Sequence, residues 1–255
     1  MTDRYSFALD MIDEVSSFLL QKRRKGFSIK EKGVNDYVTD DDRAAERIIR
    51  DRLAQAFPSD EILGEEYGIS GTSSSLWVVD PIDGTVDYMN AFPFYTVSIA
   101  YMEGGKTVFG LVGVPEQNEL FSAKKAEGAF LNGRRIEVSR IDRKKGLAIL
   151  VPPHRMHDHL DSYMASMRRL YDVYSDMRSL GSAAISLSYL ASGRVSCYYE
   201  RFLHIYDVAA GLLIAKEAGA EIEMDEHDGF VDVLATAEGL MEITKEAIDG
   251  QGSAL

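Results

Sequence analysis

The sequence predicts an α+β fold whose second half changes to an α/β pattern, with the change falling at 141–146. Three observations carry this. Two amphipathic helical stretches open the chain. A series of short strand-like segments joined by tight-turn dipeptides follows them, as in an antiparallel sheet with helices packed on it. From Gly146 onward, helical stretches alternate with short apolar segments, the pattern of a smaller α/β unit. The expected units are residues 1–145, an α+β domain, and 146–255, an α/β domain that completes it.

Taken in order, the first helix is expected over Tyr5 to Leu20, where Ala8, Met11, Ile12, Val15, Phe18 and Leu19 recur at the helical period and Gly26 is placed to end it. The second carries Ala45, Ile48, Ile49, Leu53 and Ala56. Thr39 is its expected N-cap with Asp42 in the capping-box position, and Asp40, Asp41 and Asp42 complement the positive helix end. Glu61-Ile62-Leu63 reads as a strand running into Gly64-Glu65-Glu66, and Gly68 to Ser75 as a surface loop. Leu76 to Val79 reads as a buried strand that stops at Asp80, because Pro81 lacks the N–H that a ladder needs. Segments 96–102, 107–114 and 119–123 are further strands, with hairpin turns at Gly104-Gly105 and Asn132-Gly133. In the second half, 147–151 and 195–199 are strands. Helices are expected around 159–170, over 182–191, and from Asp207 to Gly219.

With 255 residues, 45% of them hydrophobic and 27% charged, the chain has ordinary globular values and can bury a sizeable core. No run of 18 apolar residues marks a membrane span, and Met1-Thr2-Asp3-Arg4 does not begin a signal segment, so a cytoplasmic protein without a membrane partner is expected. The single Cys197 excludes an internal disulfide, and its apolar neighbours favour a packed thiol. A net charge of −13 argues against a nucleic-acid partner, which needs clustered Lys and Arg. His154, His157 and His159 lack the further ligand that a zinc site wants and are expected to be loop residues.

Chemistry is concentrated in Asp80-Pro81-Ile82-Asp83-Gly84-Thr85. Two carboxylates at the end of a buried strand can share a Mg²⁺ ion, which takes hard oxygen ligands. Gly84 lets a ligand approach the backbone, and N–H groups at a following helix start would bind an anion. Taken alone, the motif also fits a solvent-facing type I turn. The other acids change that balance. Glu65 lies just beyond another strand end, and it joins Asp80 and Asp83 if the two ends are neighbours. Asp42 and Asp207 each have a local explanation as helix caps, although Ala209, Ala210 and Gly211 permit packing close enough to crowd Asp207 towards a site. Gly181-Ser182-Ala183-Ala184 offers small side chains and amides at a helix start. Converging carboxylates would repel one another, and a phosphate, by roughly 4 kcal/mol per close pair at an effective dielectric of 20, so cations are implied. No side-chain nucleophile is then needed, and the spacing of the two acids differs from that of Asp-x-Asp phosphatases.

Gly64-Glu65-Glu66, Asp80 to Thr85, Gly181 to Ala184 and Tyr206-Asp207-Val208-Ala209-Ala210-Gly211, in this order, resemble the signature of the inositol monophosphatase family of Mg²⁺-dependent, lithium-sensitive phosphatases. The resemblance runs from the first helix to about Gly219. It implies a layered α-β-α-β-α sandwich of the inositol monophosphatase and fructose-1,6-bisphosphatase type. It implies that Glu65, Asp80, the Ile82 carbonyl, Asp83 and Asp207 bind two or three Mg²⁺ ions, that Thr85 and Glu65 position the attacking water, and that the Gly84 and Thr85 amides hold the phosphate. Lys32 and Asp42 match a segment that closes over the site; Glu200 matches a position that bonds substrate hydroxyls, with Gly181, Ser182 and Ala183 lining the same pocket. The implied activity is hydrolysis of inositol 1-phosphate or a related polyol or sugar phosphate by a homodimer, without a covalent intermediate. Relatives of the same class cleave fructose 1,6-bisphosphate, 3′-phosphoadenosine 5′-phosphate, histidinol phosphate or NADP, and some bacterial relatives act with the transcription machinery. Glu200 is expected to disfavour the more anionic of these substrates. Tyr206 in place of Trp, Val86-Asp87 in place of Thr-Asn, and a Phe202 loop without its frequent glycine depart from the pattern and bear on substrate choice.

Overall fold

The computed structural model describes residues 3–33, 36–71, 73–153 and 156–250. Helix α1 (Arg4–Arg23) buries Ala8, Met11, Ile12, Val15 and Leu19, the stripe read from the sequence, and Asp3 caps it by accepting the Ser6 N–H at 3.1 Å. A hairpin of β1 (Ile29–Gly33) and β2 (Asp36–Thr39) leads into α2 (Asp40–Ala56). Sequence reading passed over this hairpin because β1 is exposed along its whole length and shows no alternation of burial.

The next strands are β3 (Glu61–Gly64), β4 (Gly68–Ser70) and β5 (Ser75–Asp83), followed by the short helix α3 (Thr85–Met89). Then come β6 (Thr96–Glu103), β7 (Lys106–Val114), β8 (Glu119–Lys124), β9 (Gly128–Leu131) and β10 (Arg134–Ile136). They form an eight-stranded sheet ordered β10-β9-β8-β7-β6-β5-β3-β4. Only the β3 and β5 pair is parallel, with Gly64 opposite Val79. That pairing brings the C-terminal ends of β3 and β5 to the same edge. Strand β5 does not stop at Asp80, as Pro81 led one to expect, but runs to Asp83. Pairing with β6 skips Pro81 and Ile82 and resumes with Asp83 opposite Thr96, so a bulge absorbs the missing proline N–H.

The remaining elements are β11 (Leu147–Val151), α4 (Leu160–Leu170), β12 (Asp176–Arg178), α5 (Ala183–Ala191), β13 (Cys197–Leu203), α6 (Ile205–Glu217), β14 (Glu221–His227), β15 (Phe230–Thr236) and α7 (Met241–Asp249). The second sheet is ordered β12-β11-β13-β15-β14, with β11 parallel to both neighbours and the other pairs antiparallel. Strand β13 continues to Leu203, past the expected end at Tyr199.

The layers follow from which face each strand residue presents. Trp77 and Val79 of β5 pack with α1 and α2, whereas Val78 packs with α5 and α6. On β11, Ile149 and Val151 face that same middle layer, and Ala148 and Leu150 face α4 and α7. The succession is α-β-α-β-α. The middle helices sit very close to their neighbours, as the run of small residues on α6 allows. A Cβ on Gly110 would lie 2.8 Å from Ala210 Cα, and one on Gly211 would lie 2.9 Å from Leu187 Cβ. Cys197 is fully buried, as expected. Among the described residues no helix is long and apolar enough to cross a membrane.

Candidate active site

The end of β5 meets the start of α6. There Asp80, Asp83 and Asp207 each present a carboxylate oxygen, and the three atoms lie within 4.8 Å of one another. Each carboxylate is oriented by the backbone or a neighbouring hydroxyl. Asp80 Oδ1 accepts the Ile82 N–H at 3.0 Å, and Asp207 Oδ2 accepts the His204 N–H at 2.6 Å. Asp83 Oδ2 accepts both the Ser182 hydroxyl and the Ala184 N–H at 2.7 Å, so the start of α5 fixes it. Asp80 and Asp83 are buried. Burial, reinforced by Glu65, Asp83 and Asp207, pushes the Asp80 carboxyl well above the usual range. Burial raises Asp83 to about 6 against the opposing pull of the Ser182 and Ala184 bonds. Three carboxylate oxygens this close together can hold a cation, and an all-oxygen donor set suits Mg²⁺.

Glu65, just beyond β3, lines the same cavity but stands outside that group of three. Its Oε1 is 3.3 Å from Lys32 Nζ, and burial raises its carboxyl to about 7 even though the Lys32 charge opposes the shift. Lys32 also bonds Glu66, which Arg43 approaches to 3.6 Å. The turn that carries Glu65 rests on Glu46, a residue the sequence reading missed. Its fully buried carboxylate accepts the Glu66 N–H at 2.7 Å, the Tyr67 N–H at 3.3 Å and Arg50 Nε at 2.7 Å. A Cβ on Gly64 would lie 2.1 Å from Glu46 Oε1, so that glycine is required by the acid. The available signal was a charged residue on the stripe that carries Ile49 and Leu53, three and seven positions later.

Asp42 proves to hold two positions at once. Its Oδ2 accepts the Thr39 N–H at 2.7 Å, closing the expected capping box, while its Oδ1 accepts the Thr85 hydroxyl at 3.1 Å. Burial raises this carboxyl to about 6. Gly84 precedes α3 at φ 96, and a Cβ there would press on Gly181 O at 3.2 Å and Ser182 Cβ at 3.3 Å, so both its backbone and its surroundings demand glycine. Ile82, Gly84 and Thr85 line the cavity.

In the same cavity, Glu200 is buried and its Oε2 accepts the Tyr198 hydroxyl at 2.8 Å. Gly181 and Ala183 line the cavity. Ser182 does not; it is 1% exposed and spends its hydroxyl on Asp83. Asp87 packs against Gly181, where a Cβ would come within 2.9 Å of Asp87 Oδ1, and Val86 lines the cavity. The Tyr206 ring lies 5.0 Å from that of His204. Phe202 adopts φ 62, the left-handed conformation that a glycine would take easily. Arg201 also lines the cavity and was missed, because alternation along a strand would turn it away from Glu200. His154 lies outside the described residues, as does the side chain of His157; the His159 ring lies 4.7 Å from that of Phe202.

A layered sandwich with a buried carboxylate cluster where the C-terminal ends of strands meet a helix start defines the class to which inositol monophosphatases and fructose-1,6-bisphosphatases belong. The profile of the inositol monophosphatase family matches residues 1–242, and the chain belongs to this family. It is 39% identical over 190 residues to the Nus factor SuhB of Xylella fastidiosa, covering 73% of this chain and 68% of that protein. It is 39% identical over 194 residues to an inositol-1-monophosphatase of Rhizobium meliloti, covering 74% and 72% of the two chains. The extragenic suppressor protein suhB of Bartonella henselae superposes with a TM-score of 0.90 at 31% identity, covering 96% of this chain and 97% of that one.

Proposed function

We propose that the chain is a Mg²⁺-dependent phosphomonoesterase acting on a small polyol or sugar phosphate such as inositol 1-phosphate. The observation that carries this reading is the group of three carboxylate oxygens within 4.8 Å, in one cavity with Glu65, Thr85 and Glu200. Bound cations supply charge neutralisation, a more acidic water and a stabilised leaving alkoxide. The chain's own residues do the rest. Asp80, Asp83 and Asp207, with Glu65 and the Ile82 carbonyl, hold the cations. The Gly84 and Thr85 amides bind the phosphate. Because the Thr85 hydroxyl donates to Asp42, its lone pairs are left to accept a hydrogen bond from the attacking water. Glu65, with the Lys32 ammonium 3.3 Å from its Oε1, helps to position that water through a carboxylate oxygen. Glu200 accepts hydrogen bonds from substrate hydroxyls, Gly181 and Ala183 leave room for them, and Ser182 acts through Asp83. Phosphate release from a panel of polyol, sugar and nucleotide phosphates, with Mg²⁺, with EDTA and with added Li⁺, tests the reading. Release that needs Mg²⁺ and is inhibited by Li⁺ is expected; release that persists in EDTA counts against it.

A second reading is supported by the SuhB relatives, which bear the name Nus factor. A binding role beside the transcription machinery would use protein contacts rather than nucleic acid, given the net charge of −13. Capture of transcription proteins that survives Asp83→Asn would support it.

A further inference from the structure

Strand β13 does what a regular strand cannot. Successive residues of a strand face opposite sides of the sheet. Yet Glu200, Arg201, Phe202 and Leu203 all line the cavity, because the ladder with β15 breaks between Glu200 and Leu203 and Phe202 turns to φ 62. A residue with a Cβ in that conformation costs about 1 kcal/mol or more, so something must hold the turn. Asp232 on β15 does. Its Oδ1 accepts the Phe202 N–H at 2.9 Å and lies 3.0 Å from His227 Nε2, and its Oδ2 accepts Arg201 Nε at 2.6 Å. The Phe202 ring is braced by His159, His227 and Phe230, with centroids 4.7, 5.5 and 6.0 Å away, and the Arg201 guanidinium carbon lies 4.8 Å from its centre.

Arg201 is thereby fixed while using only Nε. No hydrogen bond joins its two terminal nitrogens to any described residue. Among the described residues of the cavity wall it is the only Lys, Arg or His, set against the carboxylates of Glu65, Asp80, Asp83, Glu200 and Asp207. Neutralising Asp232 does not explain a position in the cavity wall. A guanidinium immobilised by a carboxylate and an aromatic face, with its remaining donors unspent, is suited to bind phosphate or carboxylate.

We propose that Arg201 binds a second anionic group, phosphate or carboxylate, carried by the alcohol part of the substrate. This rests on the phosphatase reading of the site and narrows it to hydroxylated phosphate esters bearing a further negative charge. Glu200 alone would repel such a group, whereas Arg201 beside it offsets the repulsion and leaves Glu200 to the hydroxyls.

The test is calorimetric binding with Ca²⁺ in place of Mg²⁺ to suppress turnover, on wild type, Arg201→Met and Arg201→Lys, with unfolding temperatures recorded for each. The probes are a hexose bisphosphate, a phosphorylated hydroxy acid and, as the control with a single anionic group, inositol 1-phosphate. Wild type is expected to bind at least one of the first two about tenfold or more tightly than the control. Arg201→Met should abolish that preference while changing the control's Kd by less than about twofold, and Arg201→Lys should keep part of it. The size of the preference among the first two probes assigns phosphate or carboxylate. Equal weakening of every ester in Arg201→Met, or no preference in wild type, overturns the proposal. Failure of the phosphatase reading is a separate result, the absence of metal-dependent phosphate release from any ester, and it leaves the Kd comparison intact.

Discussion

The Thr85 hydroxyl donates to Asp42 Oδ1 at 3.1 Å, so the carboxylate that caps α2 through one oxygen holds, through the other, a residue that lines the candidate cavity. The two roles separate on mutation. Asn at position 42 can still accept the Thr39 N–H, but its amide group meets Thr85 as a donor and reverses the hydroxyl. Asp42→Asn is expected to lower kcat by about 10²-fold, the scale of a lost proton-positioning group, with little change in unfolding temperature. Asp42→Ala should lose both activity and about 1 kcal/mol of stability with the cap. Rate and unfolding measurements on the pair check this, and a fully active Asp42→Asn would remove Asp42 from the mechanism.

Glu46 supports Glu65 from behind. Its carboxylate accepts the Glu66 and Tyr67 N–H groups, and Gln at this position would set an N–H donor against one of them. Glu46→Gln is expected to cost about 1 to 3 kcal/mol, the scale of an unsatisfied buried donor. It should also raise the Mg²⁺ concentration for half-maximal activity roughly tenfold, as loss of a supporting partner does at metal sites. Mg²⁺ titration of the variant separates the two effects. A stability loss with an unchanged Mg²⁺ requirement would make Glu46 structural only.

Metal should stabilise the protein more at neutral than at acid pH. Burial raises the carboxyls of Asp42 and Asp83 to about 6 and of Glu65 to about 7. A carboxyl whose folded pKa lies above its unfolded value, near 4, stabilises the fold fully only below that unfolded value. The contribution is lost as pH rises through 6 to 7. A bound cation reverses this loss for the groups it neutralises. The gain in unfolding temperature on adding Mg²⁺ is therefore expected to be larger at pH 7.5 than at pH 5.5, and equal gains would contradict the burial account.

What could be read in the sequence was what repeats or what breaks a pattern. The apolar stripes of α1 and α2, the Asn132-Gly133 hairpin with φ 48 and 75, and the Asp80 to Thr85 stretch all declare themselves locally. The Asp228-Gly229 turn, with φ 49 and 83, was equally readable and passed unread. Other features arise only in three dimensions. The exposed β1 has no burial period, and the bulge in β5 shows only once β6 lies beside it. The break in β13 depends on Asp232, thirty residues after Phe202, so the entry of Arg201 into the cavity could not be read from its neighbours.

Asp83 is one of the three carboxylates at the centre of the proposed cation site. Asn at this position retains an acceptor for the Ser182 hydroxyl and the Ala184 N–H but loses the charge. Mg²⁺-dependent phosphate release by Asp83→Asn, on protein shown by its unfolding transition to be folded, is the most direct test. A loss of 10²-fold or more is expected, and activity close to wild type would contradict the assignment of this cluster as the catalytic cation site.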